Sequence, residues 1–342
     1  MGMTSTLKER MLPAPVKGGF RMEGYWVWCG SVVKGEDGRY HMFASRWQKE
    51  VPMHPGWLIK SEVVRASADT PVGPFQFEEV VLPARGAQYW DGIATHNPHI
   101  KKIGDTYVLY YMGTTHPFPN EWDDRDKVVV ARANKRIGIA TAKSVFGPWE
   151  RSDSPVLTTR PQCFDSFLVS NPAPCVMKDG KVMMLYKTRS YVSNKEKTWS
   201  NMMFGVAGAE SYDGRYVPLS DTPIFPRESV MEDPFLWQEE DGFHLIAKDM
   251  TGRICGQRSG GAHAVSKDGI HWELETGVLY YDREILWDDG IVRRMGNLER
   301  PFILFEDGRP THVYFATSDG DDVSGFMNCR NTWNMVIPLK VE

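Results

Sequence analysis

Glu232-Asp233-Pro234-Phe235-Leu236-Trp237-Gln238-Glu239-Glu240-Asp241-Gly242-Phe243 is the clearest copy of a phrase that occurs five times in this chain. The phrase runs from a polar or acidic residue through an apolar stretch, usually with proline, to a Gly or Asp-Gly turn and an apolar-aromatic strand. The other copies are Cys29 to Tyr40, Asn97 to Tyr107, Asn171 to Gly180 and Glu299 to Gly308. Their turn aspartates, Asp37, Asp105, Asp179, Asp241 and Asp307, lie 68, 74, 62 and 66 residues apart. Asp-Gly between apolar segments is a strong hairpin signal, and near-constant spacing marks a repeated structural unit. Each unit therefore reads as one antiparallel sheet.

A second hairpin follows each of the first four phrases. Ser61–Asp69 leads to Gly73-Pro74-Phe75, Arg136–Ser144 to Gly147-Pro148-Trp149, Met203–Ser211 to Asp213-Gly214, and Gly261–Asp268 to Gly269-Ile270-His271-Trp272. Four strands per unit, repeated around an axis, make the blades of a β-propeller, an architecture that protects its short edges by radial packing. The expected fold is all-β: a single five-bladed β-propeller domain over residues 1–342, with four antiparallel strands per blade. Residues 1–22 serve as an extension or closing segment. The fifth unit loses the pattern after Val313–Thr317, and Thr332–Leu339 can supply its outer strand. Long inserts at 47–60, 114–135 and 187–202 are candidate rims of a binding site, or plain surface loops.

The net charge of −4 has mixed signs and no basic stripe, which argues against nucleic acid or an anionic membrane as the main partner. Cys29, Cys163, Cys175, Cys255 and Cys329 form no C-x-x-C pair and are odd in number, as expected of reduced thiols. No apolar run approaches the roughly 18 to 20 residues that span a bilayer, and the first ten residues lack an apolar signal core. A cytoplasmic protein is expected. A removed leader peptide would leave the same picture, with a periplasmic or secreted protein.

The first strand of every propeller blade begins near the axis, so residues at the phrase starts converge. Eight residues before each turn aspartate stand Cys29, Asn97, Asn171, Asp233 and Glu299; fourteen before stand Glu23, Asp91, Asp165, Arg227 and Arg293. His96, Ser170, Glu232 and Arg300 adjoin them. Packing alone does not ask for such charge in a narrow pore, where unpaired buried charge costs several kcal/mol, on the order of 3–5. Glu23 and Asn171 read as structural members of the set.

Two carboxyl groups facing a sugar-sized pocket meet the need of glycosidic bond cleavage: one protonates the leaving oxygen, and the other activates water or attacks the anomeric carbon. Trp26, Trp28, Trp47, Trp57, Tyr89, Trp90, Trp122 and Trp199 lie in blade starts or inserts, where two or three of them are expected to stack on sugar and the rest to pack.

In these features the chain resembles the five-bladed propeller glycoside hydrolases: the arabinofuranosidase and xylosidase families, the invertase-like families and the anhydrogalactosidase family. The resemblance covers roughly residues 20–340. It rests on Asn97-Pro98, Phe164-Asp165, Glu232-Asp233-Pro234-Phe235-Leu236-Trp237 and Leu298-Glu299-Arg300-Pro301, and it looks like that of a distant or unclassified branch. It implies three central acids: a base or nucleophile, a general acid, and a third that orients the base and tunes a pKa. The chain departs from the pattern at the base, because Cys29-Gly30 and Asn97-Pro98 stand where Asp-Pro often opens a blade.

The resulting assignment is Glu299 or Glu232 as general acid, Asp91 or Asp165 as base, and Asp233 as modulator. Trp28, Arg46, Trp90, His96, Asn97, Lys248, Arg293 and Arg300 are the expected substrate contacts, and the arginines, with Arg227, would suit an acidic sugar. No histidine has metal-ligand spacing such as H-E-x-x-H. No cofactor is expected to be required. Some members of the resembled group carry a central cation, which here would be a structural calcium with His96 as an indirect ligand. Neither a phosphate-binding Gly loop nor a Gly-x-Ser-x-Gly elbow is present. The expected activity is exo-acting removal of a terminal sugar from an oligosaccharide. A glycoside phosphorylase or transglycosidase, and a non-catalytic carbohydrate-binding propeller, stay open beside it, as do the sugar, the stereochemistry and the oligomeric state.

Overall fold

The computed structural model describes residues 5–117, 125–192 and 198–340. Its sheets are the blades of a five-bladed β-propeller, each an antiparallel meander. Blade one comprises Tyr25–Lys34, Tyr40–Gln48, Glu62–Ala68 and Gln76–Leu82. Blade two comprises Ala94–Ile103, Thr106–Thr114, Arg136–Ala142 and Glu150–Arg151. Leu168–Val176, Val182–Arg189, Met203–Ala209 and Val217–Pro218 form blade three, and Met231–Glu239, Gly242–Asp249, Gly261–Ser266 and Glu273–Leu274 form blade four. Blade five has three strands, Glu299–Glu306, Arg309–Ser318 and Thr332–Pro338, preceded by a separate hairpin of Glu284–Leu286 and Val292–Arg294.

The second strands are buried on both faces, which is why they read as continuous apolar runs; every residue of Thr106–Thr114 is buried. Apolar cores fill the seams between blades. Phe43 and Val63 meet Leu109 and Tyr111 between blades one and two, and Val108 and Ile137 meet Met184 and Ala207 between two and three. Leu185 and Val206 meet Leu236 and Leu245 in the next seam, and Val27 and Met42 share a core with Ile303 and Phe315 where blade five meets blade one.

That last seam is sealed by the N-terminal segment. Phe20 exchanges backbone hydrogen bonds with Asn334 at 2.8 and 3.0 Å, and the Phe75 N–H donates to Gly19 at 2.9 Å. Met11 bridges to Leu339, so the segment lies along the outer strand of blade five, where a fourth strand would stand.

Every first strand carries an irregularity at the same point. The register shifts between Trp28 and Ser31, His96 and His99, Glu232 and Phe235, and Glu299 and Phe302, and in blade three opposite Asn171-Pro172. The residues left out of the ladder are Cys29-Gly30 and four X-Pro pairs, where the missing proline N–H costs nothing. The residue before the glycine or proline takes a left-handed backbone in all five blades: Cys29 at φ 56°, Asn97 at 55°, Asn171 at 51°, Asp233 at 60° and Arg300 at 52°. The fifth member of this set is thus Arg300, not Glu299. The first strand is no shorter: its last paired residue, Glu306, lies six residues after Arg300, as Glu239 does after Asp233, but Asp307 is the first residue of its two-residue turn whereas Asp241 is the second of its own. Counting back from the turn is therefore off by one in that blade.

Among the described residues, no helix is long and apolar enough to cross a membrane.

Candidate active site

The five bulges aim their first residues at the axis, where four side chains and one backbone amide form a hydrogen-bonded ring segment. Cys29 Sγ–H donates to Asn97 Oδ1 at 2.9 Å, Asn97 Nδ2 to Asn171 Oδ1 at 2.8 Å, and Asn171 Nδ2 to Asp233 Oδ1 at 2.6 Å. The Arg300 N–H donates to the other Asp233 oxygen at 3.2 Å. Asn and Asp tolerate a left-handed backbone, whereas Cys and Arg adopt it at some cost, a pattern associated with functional sites. Burial pushes the Cys29 thiol well above its usual range, so it is present as the protonated donor.

One residue earlier in each blade stand Trp28, His96, Ser170, Glu232 and Glu299. Their cross-strand partners on the second strands are Ser45, Met112, Lys187, Lys248 and Ala316. This register builds the ionic centre. Lys248 Nζ lies 2.8 Å from Glu299, 3.2 Å from Glu232 and 3.8 Å from Asp233, while Lys187 pairs with the other Glu232 oxygen. Burial pushes the Glu299 carboxyl up to about 7, with the charges of Asp233 and Glu232 pushing the same way and Lys248 opposing. Burial also opposes charge on Glu232, but Lys187 and Lys248 outweigh it and hold that carboxyl well below its usual range. Two neighbouring glutamates are thereby driven in opposite directions, a proton donor beside a fixed anion.

The rest of the pocket comes from blades one to three and from the inserts. Trp28, Trp47, Met53, His54 and Trp57 line one side, the last three from the helical insert Met53–Ile59. Arg132, from the helix Arg125–Ala133, and Lys135 line the next, with Phe326 of the short helix Gly325–Asn328 completing the rim. His96 Nδ1 contacts Ser61 Oγ at 2.9 Å and its ring lies 5.3 Å from Trp57. Burial, with Lys135, Arg300 and Lys187 nearby, keeps this imidazole neutral, its pKa well below the usual value. A larger cleft of about 430 Å³ lies at the turn end of blade four, by Asp241 and His271, but there the carboxylates of Asp241 and Asp268 are open to solvent; the axial pocket, about 140 Å³, gathers buried ones.

Of the residues expected at the site, Trp28, His96, Asn97, Glu232, Asp233, Lys248, Glu299 and Arg300 meet at the axis. Five others do not, which corrects their expected placement. Asp91 is fully buried away from the pocket, accepting from Arg85 Nε at 2.6 Å and Tyr111 Oη at 2.7 Å. Asp165 repeats the arrangement in blade three with Arg160 Nε at 2.9 Å and Tyr186 Oη at 2.9 Å. Both staple the loop leading into a blade to that blade's second strand. Trp90 packs within the same staple, stacked on Tyr111 at 5.5 Å and donating to the Ser152 carbonyl. Arg46 follows Ser45 on its strand and so points to the opposite face, pairing with Glu62 and covering Tyr25 and Phe77. Arg293 sits on the separate hairpin, half-buried and paired with Asp289. Arg227 and Glu23 are exposed, and Trp122 falls outside the described residues.

Lys187, Lys135 and Arg132 were not anticipated. Aligning second strands pairs Lys187 with Lys248 and would have found it. Lys135 and Arg132 belong to an insert without counterpart in the other blades. A divalent cation at the centre does not suit these residues. Oxygens of Glu232, Asp233 and Glu299 come within 4.8 Å of one another, but the Lys248 and Lys187 ammoniums already pair with them, and His96 is surrounded by cations.

No protein-family model matches the chain, and no curated protein matches it by sequence. Solved structures do match. Zg3597, a family 117 glycoside hydrolase of the marine bacterium Zobellia galactanivorans, is 15% identical, with a TM-score of 0.69 over 96% of this chain and 89% of that one. A thermostable family 43 glycoside hydrolase is 14% identical, with a TM-score of 0.60 over 97% and 96%. CoXyl43, a family 43 β-xylosidase/α-arabinofuranosidase from a compost metagenome solved with xylotriose, is 12% identical, with a TM-score of 0.59 over 97% and 98%. At these identities the likeness shows a shared fold, the five-bladed propeller along nearly the whole chain.

Proposed function

We propose that this protein cleaves glycosidic bonds, with Glu299 as the proton donor. The observation that carries the reading is the divergence of two adjacent carboxyls: Glu299 raised to about 7 and Glu232 held ionised, both lining one pocket with tryptophans. A carboxylic acid that keeps its proton near neutrality can deliver it to a leaving oxygen. Asp233 and Glu232 supply the negative charge that helps Glu299 keep that proton, and Lys248 fixes its position. Trp28 and Trp57 line the space a sugar ring would enter.

The ring from Cys29 to Asp233 fills the axis beneath the pocket, so a polysaccharide cannot thread through. A terminal unit entering from the rim fits, which supports exo action. The attacking group then approaches from blades two and three, across the axis from blade five. Incubation with a panel of aryl glycosides and plant or algal oligosaccharides, with and without phosphate, tests the reading. Release of a monosaccharide or its 1-phosphate, lost in Glu299→Gln, is the expected result; no turnover of any substrate by the native protein counts against it.

One observation favours a second reading, a carbohydrate-binding propeller without chemistry. Among the described residues lining the pocket, no carboxylate stands on the side of blades one to three, where Trp28, His96 and Asn97 are found instead. Sugar binding that persists unchanged in Glu299→Gln, with no turnover in either protein, would establish it.

A further inference from the structure

Lys187 and Lys248 are each matched to carboxylates, but the other cations of the pocket are not. Lys135, 1% exposed, has its Nζ 3.2 Å from Ser170 Oγ and 5.1 Å from the centre of the Trp57 ring, with no carboxylate partner among the described residues. Arg132 lies over Trp57 at 5.4 Å and Trp199 at 5.7 Å, and its buried Nε has no hydrogen-bond partner. Arg300, 7% exposed, leaves Nη1 buried and unpartnered, and its guanidinium forms no ion pair among the described residues. All three line the axial pocket.

Placing cations beside one another without counter-ions is unfavourable, and the strain shows in the titration of Lys135 and Arg132. Burial, then Lys187 and Arg132, hold Lys135 well below the usual lysine range, and burial and Arg189 draw Arg132 down to about 10. An unmatched cluster of this kind is stabilised by an anion that arrives with the ligand, because the desolvation has already been met in the folded chain. Guanidinium groups present paired N–H donors that match the oxygens of a carboxylate or phosphate.

We infer that Arg132 and Lys135, from blade two, and Arg300, beside Glu299 in blade five, form an oxyanion subsite in the axial pocket. Its occupant is a carboxylate carried by the sugar or a free inorganic phosphate. The inference rests on the glycosidic reading for the sugar itself, but the anion site is tested independently of turnover. If phosphate is the occupant, it stands where the attacking group is needed and no carboxylate base is required there. A phosphate oxygen bonds to the anomeric carbon as the glycosidic C–O bond breaks, and Glu299 gives its proton to the leaving oxygen. The proton of the attacking hydrogen phosphate then restores Glu299, so a sugar 1-phosphate and an alcohol are formed from the glycoside and phosphate.

Calorimetric titration of the Glu299→Gln protein removes turnover and separates the two sources. The probes are galacturonate and glucuronate, their neutral counterparts galactose and glucose, and inorganic phosphate. The expected result is at least about tenfold tighter binding of one uronate than of its neutral counterpart, or saturable phosphate binding. Adding Arg132→Gln should weaken that anion about tenfold while any neutral-sugar affinity stays within about twofold. Lys135→Met, checked for native circular dichroism, should do the same. Preference for uronates identifies the sugar carboxylate; phosphate binding, with phosphate-dependent turnover by the native protein, identifies the attacking group. Equal affinity for acidic and neutral sugars together with no phosphate binding overturns the subsite, as does anion binding that is indifferent to Arg132→Gln. Anion binding intact in a protein that turns over no glycoside overturns the glycosidase reading alone.

Discussion

Glu299 and Lys248 hold the chemistry in a balance that single substitutions should expose. Burial and the charges of Asp233 and Glu232 raise the Glu299 carboxyl to about 7 while Lys248 pulls it down. The protonated donor is therefore plentiful below about 7 and disappears above it, so kcat/KM should fall with rising pH through that value. Glu299→Gln should abolish this limb and cost about 10²–10⁴-fold in kcat/KM, the usual range for a general acid. Lys248→Met removes the opposing charge, so the limb should move to higher pH in any activity that survives. It also leaves Glu299 and Asp233 without their ammonium partner and Glu232 with Lys187 alone, at about 3–5 kcal/mol of stability in denaturant titration. An unshifted limb in Lys248→Met would mean that another group titrates. The same residues show what the sequence made legible. Glu232, Asp233 and Glu299 were readable because charge at a blade start has no packing purpose. The divergence of their pKa values was not, because it depends on Lys187 and Lys248, whose register against the first strands emerges only on pairing.

At the scale of the blade, the repeated phrase marked five units correctly, and its X-Pro dipeptides mark the bulges that turn a residue toward the axis. Its two misreadings have physical causes. In blade five the aspartate stands first in its two-residue turn rather than second, which displaced the count by one and exchanged Glu299 for Arg300 as the left-handed residue. In blades two and three, position alone did not distinguish an aspartate aimed at the axis from one aimed at its own blade. Asp91 and Asp165 each pair with an arginine a few residues upstream, Arg85 and Arg160, and with a tyrosine that only the folded sheet brings near. Asp91→Asn would leave Arg85 and Arg151 short of a counter-charge, and Asp165→Asn would do the same to Arg160. Each should lose about 3 kcal/mol of stability by urea unfolding, while kcat/KM per folded molecule stays within about twofold of native. A hundredfold loss in a variant with native stability would return that aspartate to the chemistry.

At the scale of the molecule, the pocket exists only while the ring is closed, since Glu299 belongs to blade five and Trp28 to blade one. What closes the ring is an N-terminal segment whose composition gave little sign of the role beyond its position before the first blade. Phe20 is its anchor: fully buried in the core shared by blades five and one, and bonded through its backbone to Asn334. The Asn334 side chain in turn caps the Gly30 N–H at 2.8 Å, at the bulge that delivers Cys29 to the axis. Closure and site geometry are thus joined through one residue. Phe20→Ala should cost about 3–5 kcal/mol, the range for emptying a large buried aromatic site, whereas Val323→Ala, at a position 86% exposed, should stay within about 0.5 kcal/mol of native. Because the backbone bonds of residue 20 survive the substitution, the folded fraction should keep its ring and its affinity for ligand. Thermal unfolding followed together with ligand binding separates the two effects. A lowered midpoint with unchanged affinity below it fits a clasp that stabilises a preformed pocket, and lost affinity in a fully folded Phe20→Ala protein would instead make the clasp a determinant of pocket shape.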